Sequence, residues 1–283
     1  MNRDTFAVGA ALPEYRASAK MPAEASENKI HEDDLARAMG FHGGLVPGVI
    51  VYSWMTHPVV EALGQDWLER GTFSVRFAKP VYFGEEVSVN TSVASRTEAA
   101  VTLQVRVLNG HGEVCGTATM GLPFKAPPRA PDVNAYPAAP LPTERPPVSR
   151  ALLASRSVLG TPELVLDEPA AQTFLSKVSE SLPLYRGSVA LAHPGIYLEQ
   201  ANRALSRNVR VSPWIHVESQ GQHLSVARVG ERLQMRARVK SLFEGKGHEF
   251  VEMDLLLVGD GARPVASIRH VAIYHLRGAS GGS

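Results

Sequence analysis

Nine prolines fall between Pro123 and Pro147, in the stretch PFKAPPRAPDVNAYPAAPLPTERPP. Proline fixes φ near about −65° and has no N–H to give, so this stretch cannot be a central strand or a long helix. It reads as a stiff, extended connector. It divides the chain into residues 1–122 and 148–283, so the fold must be assembled from two halves.

The flanks repeat one another. PGVIVYSW at Pro47 is followed by PVYFGEEVSV, and PGIYLEQA at Pro194 by SVARVGERLQM. From the Pro-Gly glycine to the Gly-Glu glycine the distance is 36 residues in one half (Gly48 to Gly84) and 35 in the other (Gly195 to Gly230). After each Gly-Glu the apolar residues recur with period two, and Asn109-Gly110 and Gly259-Asp260-Gly261 mark turns between the runs. Each half therefore reads as one helix followed by antiparallel strands, an α+β chain made by duplication. The helix can bury its apolar stripe only against the sheet. In the first half that helix carries Val49, Ile50, Tyr52, Trp54, Val59 and Leu63, with Pro58 as a kink or a new first turn. In the second it carries Ile196, Tyr197, Gln200, Ala201 and Leu205.

Composition narrows the function classes. The chain has 283 residues, 44% hydrophobic and 20% charged, with a net charge of +1, so nothing points to nucleic acid or an anionic membrane. A single cysteine, Cys115, rules out an intramolecular disulfide and a Cys-rich metal site. No run of 18 apolar residues occurs, and the N-terminus reads poorly as a signal peptide. A reducing, cytoplasmic location is the expectation, with GASGGS a flexible tail. Metal-ligand spacing is absent, and no cofactor is expected.

The stretch SENKIHEDDLARAMGFHGGLVPG, from Ser26 to Gly48, holds the candidate chemistry. Read plainly, His31 is a loop histidine, and Asp33 and Asp34 put negative charge at the start of a short helix. The register of this stretch nevertheless resembles MaoC-like hydratases and dehydratases of acyl thioesters, enzymes of the hot-dog fold. The resemblance rests on Asn28, His31, Asp33, Ala36, Gly40-Phe41, the Gly43–Gly48 turn and FAKPVYFGEEV at Phe77–Val87. It covers most of residues 20–120. The second half matches in fold pattern alone, so the whole resembles a double hot-dog.

The resemblance implies a site made of His31, Asn28 and Gly48, with two departures. Ser26 stands where the family has its catalytic aspartate, and Lys29 where it has a proline. The repeat offset from His31 falls near Lys177, so the second half has no equivalent histidine and is expected to be a cover and acyl-binding wall. Hydration of a 2-enoyl thioester needs a base for water, an acid for the α-carbon and donors for the enolate oxygen. Histidine suits proton transfer near neutrality, and unpaired N–H groups at a helix N-terminus suit the oxyanion. Ser26 can orient water but is no base; Glu27, Glu32 or Asp33 could supply the carboxylate.

Other polar residues take plainer readings. His42 and His57 are structural, and His193 is a cap or core residue. Glu199 stands one residue off the register of a helix-borne catalytic glutamate. His216 with Glu218, and Glu252 with Asp254, form a polar strand face, a dimer contact or the wall of a polar cavity. The expected function is a hydratase or dehydratase of a 2-enoyl or 3-hydroxyacyl thioester, carried by CoA or acyl carrier protein, in a homodimer. The alternatives are a hot-dog thioesterase and a non-catalytic acyl-thioester-binding subunit that lost the aspartate.

Overall fold

A computed structural model describes residues 6–20, 26–125, 129–187 and 189–277. The expected flexible tail lies outside these.

The first half contains β1 (Tyr15–Ser18), a 3-10 turn at Lys29–His31, α1 (Asp33–Ala38), α2 (Gly48–Leu63), α3 (Gln65–Arg70), β2 (Thr72–Phe77), β3 (Glu86–Arg96), β4 (Ala100–Leu108) and β5 (Val114–Pro123). The second contains α4 (Arg150–Ser155), β6 (Val158–Leu159), β7 (Glu163–Val165), α5 (Glu168–Val178), α6 (Pro194–Ser206), β8 (Ile215–His223), β9 (Arg232–Gly245), β10 (His248–Gly259) and β11 (Arg263–His275). Each half wraps an antiparallel sheet around one central helix, α2 or α6, as the duplication predicts.

Alternation builds the strands. On β3 and β4, Val87, Val89, Val93, Val101, Leu103, Val105 and Val107 are buried, and most residues between them face outward. The β9–β10 hairpin turns on Lys246 and Gly247, whose φ values of 53° and 79° give the two left-handed positions of a tight hairpin turn. Among the described residues the two halves meet as one sheet of 11 strands in the order β1-β3-β4-β5-β2-β8-β11-β10-β9-β6, with β7 on β9. The seam is β2 against β8, registered from Thr72 opposite Gln222 to Arg76 opposite Glu218.

Beneath the seam α2 and α6 pack on each other. Helix α2 is buried along most of its length, polar Ser53, Thr56 and His57 included, and Tyr52, Trp54, Met55 and Val59 are almost wholly enclosed. It runs through Pro58 without ending. The face foreseen on α6 is also buried: Ile196, Tyr197, Gln200, Ala201 and Leu205. The described part of the proline-rich segment beyond residue 128 is held against the second half. Tyr136 Oη donates to Asp254 Oδ1 at 2.9 Å, the Arg238 guanidinium lies 4.4 Å over its ring, and Val148 N–H donates to Arg210 O at 3.0 Å. No helix among the described residues is long and apolar enough to cross a membrane.

Candidate active site

The loop before α2 is pinned to the opposite half. The Asn28 amide makes a reciprocal pair with the Trp214 backbone: Nδ2 donates to Trp214 O at 2.9 Å, and Trp214 N–H donates to Asn28 Oδ1 at 3.1 Å. Lys29 N–H adds a bond to Ser212 Oγ at 3.0 Å. These contacts fix the turn that carries His31.

His31 Nδ1 lies 2.7 Å from Leu45 O. A carbonyl only accepts, so Nδ1 carries the hydrogen and Nε2 keeps its lone pair. The second Asn28 Nδ2 hydrogen points at that lone pair, at 3.3 Å. A proton on Nε2 would face an N–H, so Asn28 favours the neutral ring. Burial, with a smaller push from Lys177 and against the pull of the Leu45 carbonyl, lowers the His31 pKa to about 4. At neutral pH His31 is therefore an uncharged base.

Helix α2 begins two residues beyond Val46. Its N-cap residue, Pro47, makes no side-chain capping bond, which leaves the first turn of N–H groups without a side-chain partner. Gly48 has no side chain to cover them. A β-carbon there would meet the Phe77 ring at 3.0 Å and His216 Nδ1 at 3.1 Å. Around this helix end lies a cavity of about 260 Å³ at the seam of the halves. Asn28, His31 and Gly48 line it, with Val51 and Phe77, and the second half adds Asn202, Trp214, His216 and Ile273.

His216 departs from the expectation. Strict alternation would put it beside Glu218, but β8 carries a bulge: Glu218 opposes Val271 and His216 opposes Ala272, so Val217 is the extra residue. The bulge turns His216 to the side of Ser219. His216 Nε2 lies 2.8 Å from Ser219 Oγ, and Ser219 Oγ lies 2.8 Å from His270 Nδ1. Glu218 pairs instead with Arg269 at 2.7 Å. Burial holds the His216 pKa well below its ordinary value, helped by His270, against the Glu218 backbone. Sequence spacing offered His216 only as one residue of a polar strand face, dimer contact or cavity wall and gave no sign of Trp214, because nothing local announces a bulge or a contact 186 residues from Asn28.

The remaining candidates lie around the site. Ser26 is not among the lining residues; its Oγ accepts from Asn28 N–H at 3.2 Å and shapes the turn. Asp33 accepts from Gly44 N–H at 2.7 Å and pairs with Arg37, so it braces the glycine turn. Glu27 pairs with Arg145 and Glu32 with Lys29. Among the described residues no Asp or Glu lines the cavity. Glu199 pairs with Lys177 at 3.5 Å. Among the described residues, too, no group of three or more His, Cys, Asp or Glu is placed to hold a metal ion.

The start of α6, the counterpart of Gly48, is filled. His193 Nδ1 accepts from Gly195 N–H at 3.0 Å, capping the helix. Its Nε2 lies 3.6 Å from the buried Glu180 carboxylate, which accepts from His57 Nδ1 at 2.9 Å and from the Ser181 and Leu182 N–H groups at 2.6 and 2.7 Å. Burial alone would raise the Glu180 carboxyl; His193, His57 and the Leu182 N–H outweigh it and hold it far below the usual carboxylate range. His57 and His193 are thus structural, as expected.

No protein-family profile matches the sequence, and no curated protein does. The fold has solved counterparts. A candidate MaoC domain protein dehydratase of Chloroflexus aurantiacus superposes with a TM-score of 0.69 at 11% identity, covering 97% of both chains. A conserved protein of Mycobacterium tuberculosis described as a double hot-dog gives 0.67 at 15%, covering 95% of this chain and 97% of that one. A candidate oleoyl thioesterase of Lactobacillus plantarum gives 0.54 at 8%, covering 95% and 98%. The chain is a double hot-dog.

Proposed function

We propose that the protein is a hydratase or dehydratase acting on a 2-enoyl or 3-hydroxyacyl thioester, with His31 as its proton-transfer residue. One observation carries this reading: a neutral histidine, whose Nε2 lone pair meets the Asn28 N–H at 3.3 Å, and an uncapped helix N-terminus line the same cavity. Water attacks the β-carbon and its proton passes to His31 Nε2. The C=C pair moves to the carbonyl oxygen as an enolate beside the first turn of α2. The enolate pair then takes the proton back from His31 at the α-carbon. Protonated His31 opposes the Asn28 N–H, so it releases the proton readily. Asn28 sets the ring, and Ser26 supports Asn28. Among the described residues no Asp or Glu lines the cavity, and this reading assigns the proton transfer to His31.

The test is a panel of enoyl thioesters, followed by loss of enoyl absorbance and gain of one water in the mass spectrum. The wild type gains water and His31→Ala does not. Equal rates in the two sink the reading. Release of free thiol instead indicates a thioesterase. Binding that raises Tm without turnover indicates an acyl-binding subunit.

A further inference from the structure

We propose that His216 is a further catalytic residue, whose Nδ1–H donates to the thioester carbonyl oxygen beside the first turn of α2, with Ser219 and His270 setting its tautomer. This rests on the acyl-thioester reading of the cavity and adds to it a donor from the second half.

Hydrogen-bond accounting leaves two buried atoms of the lining residues without a partner, Asn202 Oδ1 and His216 Nδ1, and of these only the imidazole nitrogen can donate to a carbonyl oxygen. Asn28 spends its amide on Trp214 and His31, His31 spends Nδ1 on Leu45, and Lys79 is paired with Glu113 at 2.6 Å. His216 is 6% exposed, and its Nδ1 has no partner. An unpaired polar atom in the interior forfeits its hydration with nothing in return, so one aimed into a cavity marks where a ligand atom belongs. That atom adjoins Gly48, the residue whose missing side chain opens the helix end.

The Ser219 hydroxyl has one hydrogen and lies 2.8 Å from each ring. If Ser219 donates to His216 Nε2, it accepts from His270 Nδ1–H, and the His216 hydrogen is placed on Nδ1, toward the cavity. In the opposite arrangement His270 must bury an N–H on Nε2, which is also without a partner. An oxygen that gains negative charge selects the first arrangement. The His270 ring, 4.2 Å away and with its own pKa pushed down to about 3 by burial, keeps charge off His216. A neutral imidazole beside a helix N-terminus can polarise a carbonyl through its N–H without itself becoming charged. No proton leaves His216; the transferred proton stays with His31.

The experiment uses the full chain, a saturated acyl pantetheine thioester with a carbon-13 carbonyl for infrared difference spectra, and a 2-enoyl pantetheine thioester for turnover. In the wild type the bound carbonyl stretch moves to lower frequency. His216→Leu loses that shift and about 10²–10³-fold in kcat, with KM little changed. His216→Asn, which can place an N–H near the Nδ1 position, restores most of the shift. Ser219→Ala, which frees the tautomer, gives a partial loss and serves if the leucine variant does not fold. A folded His216→Leu that keeps the shift overturns the proposal while His31-dependent hydration stands. A His216-dependent shift without turnover supports the donor and removes the hydratase reading. Failure of any thioester to bind overturns both.

Discussion

The two Pro-Gly helix starts have the same sequence logic and opposite fates. At Pro47-Gly48 no side chain caps the helix, and a cavity opens at its end. At Pro194-Gly195 the preceding residue is His193, which caps the helix, and Glu180 and His57 fill the space behind it. The residue before each Pro-Gly differs, Val46 against His193, and with it a helix end that no side chain caps differs from one whose Gly195 N–H is met by an imidazole. A repeated fold thus keeps two scaffolds and opens one of them.

Matched substitutions at the two starts test this contrast. Gly48→Ala places a methyl against Phe77 and His216 and should lower kcat/KM by about 10²-fold, with a small change in Tm. Gly195→Ala should do the reverse. Its β-carbon would overlap Ser53 Oγ and fall 2.7 Å from Phe174, an overpacking worth about 1–3 kcal/mol of stability, with near-normal turnover per folded molecule. Equal effects of the two on turnover would break the comparison.

Removing the plug is the next largest change. Glu180→Leu strands the His57 donor and two backbone N–H groups and should destabilise by roughly 3 kcal/mol in denaturant titration, leaving the pH profile of turnover unchanged.

Acid separates the two ends more gently. Glu180 titrates below its ordinary value of about 4.5 in the fold, so its stabilising contribution is present above that pH and fades as pH falls below it. The buried neutral histidines act from a higher pH. Their folded pKa values lie below 6.5, so the unfolded chain takes protons first and stability declines as pH drops under about 6.5. Melting curves across about pH 7 to 3 should show both declines in the wild type and only the histidine one in Glu180→Leu. The acid limb of kcat/KM should sit near the His31 pKa of about 4. A limb at 6.5, the ordinary histidine value, would mean that His31 is not held neutral by its surroundings. Asn28→Ala, the mildest change, should raise that apparent pKa and slow turnover about tenfold.

The same contrast between local and distant pairing decides which parts were legible in the sequence. Prolines 123–147, the two Pro-Gly starts and the period-two runs reported the duplication, because each is a local property of φ, hydrogen bonding or alternation. Asn28, His31 and Gly48 could be read because they lie within 21 residues of one another on one turn and one helix start. The second half's contribution could not. His216 reaches the site through the β2–β8 seam and a bulge at Val217, and both are decided by long-range pairing. Pairing a strand by simple alternation put His216 with Glu218; one inserted residue reversed the side it faces. Ser26, where the resemblance would place an aspartate, accepts the Asn28 backbone N–H on its hydroxyl, a bond that no sequence spacing announces.

The β2–β8 seam has a consequence for how the molecule behaves on dilution. A cavity whose walls came from separate chains would fall apart as concentration dropped, and its occupancy would follow a dissociation constant. Here Asn28 and Trp214, His31 and His216 belong to one polypeptide joined by a bound tether, so their encounter is unimolecular. The site persists at any concentration at which the chain itself is folded.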